Sequence, residues 1–412
     1  MTAHLDRKRA ETLMQAAGMD ALLLLSPEAF RHATGAAAGV ATMWRQAGAV
    51  AVLVPADANL PEMAVASDLF APSFRRASHI ADLRTSRIWV EAATAPDLDA
   101  QGDAAAQMRA LWQAEGRGDT FTRPTTFDAR TTWQHLRDAL RERGLQDARI
   151  GVEMSAIAAS DWPALQEHLA PAVLVNGMRI AQELRAIKSP AEIGYLRQAV
   201  GLAEQGIAAV RDAVASGVLR SELSQAWQTA ISTAAAGLPL TGSWEYISVG
   251  VDPWGGDARA RPGDLIKVDV GCLIEGYTSD TGRSFVLGQP NRVASEIYAA
   301  LMAGFDAGFA RLTPGTPLSE VHRITTEAIT ARGFASYARG HFGHSLGTGP
   351  GSEEWPFISA DADICVTPGM VLAFECPWYI TGLGGFIIED QVEITEAGPV
   401  SMNSLPRGLI TL

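Results

Sequence analysis

The segment Ile266-Lys267-Val268-Asp269-Val270-Gly271 sets an acid inside an apolar run that reads as a β-strand over 264–270. A carboxylate in such a place opposes folding unless its charge is compensated. Eleven residues on, Tyr277-Thr278-Ser279-Asp280 ends a second short strand, over 276–279, on another aspartate. Two antiparallel strands joined by a short turn bring these carboxylates together. Like charges held that close resist joint ionisation unless a cation lies between them.

Three further segments repeat the device. Gly343-His344-Ser345-Leu346-Gly347 flanks a histidine with glycines, which allow a tight backbone and leave room beside the ring. Leu372-Ala373-Phe374-Glu375-Cys376-Pro377 carries a glutamate in an otherwise apolar strand, and Phe386-Ile387-Ile388-Glu389-Asp390 ends on another. The candidate metal ligands are therefore Asp269, Asp280, His344, Glu375 and Glu389. Four carboxylates and one imidazole form a hard, oxygen-rich set that suits Mn²⁺, Co²⁺ or Zn²⁺ and is large enough for two bridged ions. Asp390 should face the other side of its strand from Glu389 and serve structure. Cys272 and Cys376 adjoin ligands but read as inert strand thiols, Tyr277 as core, and Arg283 as a charge partner.

At 412 residues the chain exceeds one growing core, so two domains are expected. Strands at 20–26, 47–54, 149–153 and 172–175 alternate with helices at 4–17, 131–143 and 159–169, the pattern of a three-layer α/β domain. The texture changes between 178 and 188, giving domains over 1–180 and 184–412. Ser189 before Pro190 then caps a long helix to about Ala215, and a second runs from Ser221 to about Ala235. Helices over 291–312 and 317–332 and strands over 371–376, 385–389 and 391–395 complete an α+β second domain.

A net charge of −13 without a long Lys/Arg run disfavours nucleic acid and anionic membranes as partners. Three cysteines without CxxC spacing argue against a disulfide framework. No apolar run approaches a membrane span and the first residues lack a signal-peptide core, so a cytoplasmic location is expected.

The order DxG, an Asp eleven later, GHxxG, a Glu after an apolar strand and a final Glu-Asp resembles the pita-bread group. That group includes aminopeptidase P, prolidase, methionine aminopeptidase and creatinase. Leu184-Arg185-Ala186-Ile187-Lys188-Ser189 with Glu192 is similar to the entry into its catalytic domain, and the likeness spans about 184–400. The resemblance implies the same five ligands, a dinuclear centre, a homodimer and a small-molecule or short-peptide substrate. It also exposes departures. The loop Gly250–Asp257 lacks the histidine that prolidase-like members carry before the first aspartate. Glu353-Glu354-Trp355-Pro356 stands where they have HExP, and Ile387 where aminopeptidase P has arginine.

The reaction expected is hydrolysis of a peptide, amide or amidine-like C–N bond, not an ordinary Xaa-Pro cleavage. Glu353 or Glu375 is the candidate proton shuttle and His341 a candidate for the oxyanion, giving catalytic residues Glu353, Glu375 and His341. Trp254, Asp257, His341 and Glu354 are the substrate-binding candidates. A metal-dependent lyase on a small polar metabolite and a non-catalytic binding module are the rival readings.

Overall fold

Ala21–Leu24 (β1) is buried along its whole length, as expected for a strand covered on both faces. In this computed structural model, which describes residues 4–95, 97–118, 120–349 and 353–412, β1 pairs antiparallel with Ala51–Pro55 (β2) and parallel with Arg149–Val152 (β5). Met63–Ser67 (β3), Asp82–Ser86 (β4) and Val173–Asn176 (β6) complete a six-stranded sheet in the order β4-β3-β2-β1-β5-β6. Alternate side chains of β1 feed two separate cores. Leu22 and Leu24 pack with Met14 and Phe30, whereas Ala21 and Leu23 pack with Trp133, Leu136 and Leu165. Helices thus lie on both faces, which is the three-layer α/β arrangement the alternating pattern predicts. Asp6 and Asp128 accept hydrogen bonds from Lys8 N and Arg130 N and fix the starts of the Arg7–Ala16 and Ala129–Glu142 helices. Sequence reading missed β3 and β4, whose runs are short and bounded by charge.

Contacts divide the chain into two units, Met1–Leu184 and Arg185–Leu412. The second opens on the Pro190–Ala213 helix, where Ser189 and Glu192 form a reciprocal capping box. Glu192 is buried there and also accepts a hydrogen bond from the Tyr277 hydroxyl at 3.1 Å. The strands are Leu240–Glu245 (β7), Ser248–Val249 (β8), Leu265–Ile274 (β9), Tyr277–Thr278 (β10) and Thr281–Val286 (β11). Then come His341–Ser345 (β12), Glu354–Ser359 (β13), Val371–Glu375 (β14), Trp378–Ile380 (β15) and Gly384–Phe386 (β16). Glu389–Thr395 (β17), Gly398–Ser401 (β18) and Ile410–Thr411 (β19) end the chain.

All but β15 and β16 join one eleven-stranded sheet whose main path runs β10-β9-β11-β17-β14-β12-β13. Two helix pairs cover it. The Pro190–Ala213 and Arg220–Ala234 helices pack on Ile266, Val268 and Val270 of β9. The Arg292–Phe309 and Leu318–Thr330 helices pack on Leu372, Phe374 and Val392 of β14 and β17. The strand expected over 385–389 divides: its first half pairs with β15, and Glu389 opens β17 instead. The segment around His344, read only as a tight, glycine-flanked stretch, is a strand. Among the described residues no helix is long and apolar enough to cross a membrane.

Gly206 lets the first helix pair close: a β-carbon there would lie 2.2 Å from the buried Trp227 ring. Gly201, on the exposed face of the same helix, would meet nothing within 4 Å. Gly206→Ala is therefore expected to destabilise by about 1–3 kcal/mol through overpacking, and Gly201→Ala to be neutral or slightly stabilising. Thermal unfolding of the two variants compares them, and equal melting temperatures would refute the packing argument.

Candidate metal centre

Backbone register brings the acids together. Asp269 on β9 lies opposite Gly282 on β11, Gly282 opposite Glu389 on β17, and Glu389 opposite Glu375 on β14. Paired residues share a face, so three carboxylates line up across three strands. His344 is paired with Ala373, two residues from Glu375, and so projects from that same face. Asp280, in the break between β10 and β11, supplies the fourth carboxylate. Gly343, at φ +136, makes this approach possible, since a β-carbon there would lie 1.9 Å from the Ala373 carbonyl oxygen.

Asp280, His344 and Glu389 are all buried, and one ligand atom from each lies within 4.8 Å of the others. His344 Nδ1 is 3.0 Å from the Ser345 carbonyl oxygen. That contact directs Nε2, 3.5 Å from Asp280 Oδ2, into the cluster. Burial, reinforced by the neighbouring carboxylates, pushes Asp280 and Glu389 well above the ordinary carboxylate range. Asp269 is also raised, chiefly by burial, with Lys267 pulling the other way. Glu389 Oε2 is buried with no hydrogen-bond partner among the described residues. A buried carboxylate oxygen without a donor, beside another acid and an imidazole nitrogen, is what a divalent cation would complete. The donor set fits a metal.

The two remaining acids have protein partners. Lys267 Nζ donates to Asp269 Oδ2 at 3.0 Å, and Arg339 Nη2 donates to Glu375 Oε1 at 2.7 Å. Sequence reading named neither cation. Lys267 had a visible signal, because it lies two residues before Asp269 and therefore on its face. Arg339 is remote in sequence and left none. Burial lowers the pKa of His341, whose Nδ1 lies 3.9 Å from Glu375 Oε1 and Nε2 3.9 Å from Glu353 Oε2. Trp254 packs against Tyr379 with ring centroids 4.8 Å apart and planes tilted by 43°, and both rings lie 5.2 Å from Lys267 Nζ.

Glu354 and Asp257 are committed elsewhere in the fold. Glu354 is ion-paired with Arg185. Asp257 accepts from Ser221 N at 2.7 Å and Ser221 Oγ at 2.8 Å, at the start of the Arg220–Ala234 helix. Ile387 is buried against Gly282. Cys272 and Cys376 are buried, and burial lifts the Cys272 thiol to about 12 and Cys376 well above its usual value, so neither is a ready nucleophile.

Behind the acids, Asp390 faces the opposite side of β17. It accepts from Arg283 Nη2 at 2.8 Å, Arg407 Nε at 2.8 Å and Ser401 Oγ at 2.7 Å. Arg283 also donates to the carbonyl oxygens of Glu389 at 2.5 Å and Leu405 at 2.9 Å, which holds the backbone of β17 from the rear.

A curled sheet flanked by helix pairs, with buried acids and a histidine meeting on one face, defines a metal-dependent hydrolase of the pita-bread fold. The model of metallopeptidase family M24 matches residues 194–396. The uncharacterized peptidase YqhT of Bacillus subtilis (strain 168) is 30% identical over 286 residues, 68% of this chain and 79% of that protein. The Xaa-Pro dipeptidase of Pyrococcus furiosus is 31% identical over 239 residues, 56% of this chain and 67% of that one. This chain belongs to metallopeptidase family M24, whose members use divalent metals, and is prolidase- and dipeptidase-like. Among solved structures, the Xaa-Pro dipeptidase from Bacillus anthracis superposes with a TM-score of 0.75 at 20% identity, covering 98% of this chain and 99% of that one.

Arg283 and Asp390 are each 1% exposed, so removing one leaves the other charged and buried. Asp390→Ala is expected to destabilise by roughly 3–5 kcal/mol. Urea unfolding measures it, and a change below about 1 kcal/mol would show that the pair does not anchor β17.

Proposed function

We propose that this chain hydrolyses a C–N bond, peptide or amide-like, in a small substrate, with divalent metal held by Asp269, Asp280, His344, Glu375 and Glu389. The observation that carries this reading is the buried convergence of Asp280, His344 and Glu389 within 4.8 Å. The five side chains offer donors enough for two ions of the Mn²⁺, Co²⁺ or Zn²⁺ kind. When bound, such metal supplies Lewis-acid activation of water and polarisation of a carbonyl.

The chain's own groups supply the rest. Glu375 is fixed by Arg339, which suits a ligand better than a mobile base. Glu353 is 53% exposed and only loosely paired with His341, so it is free to take a proton and pass it to a leaving nitrogen. His341, 3.9 Å from both Glu375 and Glu353, would donate to a developing oxyanion. Trp254 and Tyr379 offer an aromatic wall for the substrate. A homodimer acting on short peptides or small molecules in the cytoplasm belongs to the same reading.

Asp280→Ala and Glu389→Ala are each expected to lose at least about two orders of magnitude in kcat/KM while circular dichroism stays unchanged, and a chelator should abolish wild-type turnover. Full activity in either variant would remove this cluster from the mechanism.

By the resemblance, Glu353 and a histidine-free 250–257 loop stand where prolidase-like members carry histidines, and Ile387 where aminopeptidase P has an arginine. Losing buried hydrogen-bond partners for a substrate commonly costs several orders of magnitude in discrimination. Turnover of Xaa-Pro dipeptides is therefore expected to fall far below that of a preferred small amide in a substrate panel. Glu353→Gln should lower kcat while metal content holds. Prolidase-level cleavage of Ala-Pro, or an unimpaired Glu353→Gln enzyme, would count against the reading.

A further inference from the structure

Resting on the metal reading above, we propose that the centre holds one divalent ion, because the Lys267 ammonium occupies the charge position of a second. The five candidate ligands are not equivalent. Asp280, His344 and Glu389 each set one ligand atom within 4.8 Å of the others. Asp269 and Glu375 flank it, and each is already hydrogen-bonded to a protein cation, Lys267 at 3.0 Å and Arg339 at 2.7 Å.

Charge balance favours the same count. The four carboxylates carry four negative charges when ionised. Lys267 and Arg339 offset two, and one divalent ion offsets the other two. A second divalent ion would leave a buried excess of positive charge, the costly state in a medium of low polarity. Lys267 is also poorly able to move aside. Its side chain is fully buried, and its ammonium sits among the rings of Tyr246, Trp254 and Tyr379 at 6.0, 5.2 and 5.2 Å. Such rings attract a cation and hold it near Asp269. Asp269 thus faces an ammonium held in place, whose positive charge opposes a second divalent ion beside the same carboxylate.

The test is metal content. Wild-type protein saturated with Mn²⁺ and desalted should carry one ion per chain by elemental analysis, and its electron paramagnetic resonance spectrum should lack the signature of a spin-coupled pair. Lys267→Met, which keeps length and removes charge, should rise toward two ions and gain that signature, whereas Lys267→Arg should stay at one. Two ions in the wild type overturn the proposal without any variant, and a Lys267→Met protein that folds and stays at one ion overturns the role of Lys267. A wild type that binds no ion overturns the hydrolase reading and this proposal together.

Discussion

The fold rests on an electrostatic debt: several carboxylates crowded on one buried face of a sheet. Asp269, Glu389 and Glu375 reach that face through backbone register alone, each opposite the next strand's partner. Repulsion among them is opposed by apolar packing on the other side of the same strands, where Val268, Phe374 and Val392 meet the helix pairs. The sheet is thus an apolar raft on one side and a cation trap on the other. Strands β9, β11, β14 and β17 have to do both at once.

The compensation comes at graded distances. Nearest are Lys267 and Arg339, in direct hydrogen bonds with Asp269 and Glu375. Behind β17, Arg283 and Arg407 pair with Asp390 and tie the strand to the chain's last segment. Glu204 adds to that rear support by accepting from the backbone nitrogens of Ser404 and Leu405, both at 2.8 Å. None of these groups needs to touch a substrate. Together they fix where Glu389 can be, which the proposed metal-binding role would require.

The ligand candidates were legible in the sequence because an acid inside an apolar strand is anomalous, and five anomalies in a recognised order are more specific than any one. The helix start at Pro190 was legible through Ser189, whose side chain caps locally, whereas the first helix, expected from residue 4, begins at Arg7 after the Asp6 cap. What the sequence hid was nonlocal. Arg339 meets Glu375 from 36 positions away, and nothing in its neighbourhood announces it. Asp257 stood in a loop rich in suggestive residues, yet its carboxylate is bound to Ser221. The strand at His341–Ser345 was masked by glycine, which weakens a strand pattern in sequence while here it admits the Ala373 carbonyl.

Glu389 and Asp390 are neighbours in the chain with opposite obligations, one turned toward the acids and the other toward Arg283. A strand has a period of two, so a slip of β17 by one residue turns each of them to the other face. A slip one way puts the shorter Asp390 in the place of Glu389 and sets Gln391 against Arg283; a slip the other way drives Glu389 into the Arg283 socket and sets Ile388 among the acids. Either slip breaks a charge pairing in the interior. The dipeptide therefore works as a ratchet tooth: it penalises every odd misalignment of β17 during assembly, and a single-residue insertion or deletion in this strand is far less tolerable than a substitution at most of its positions.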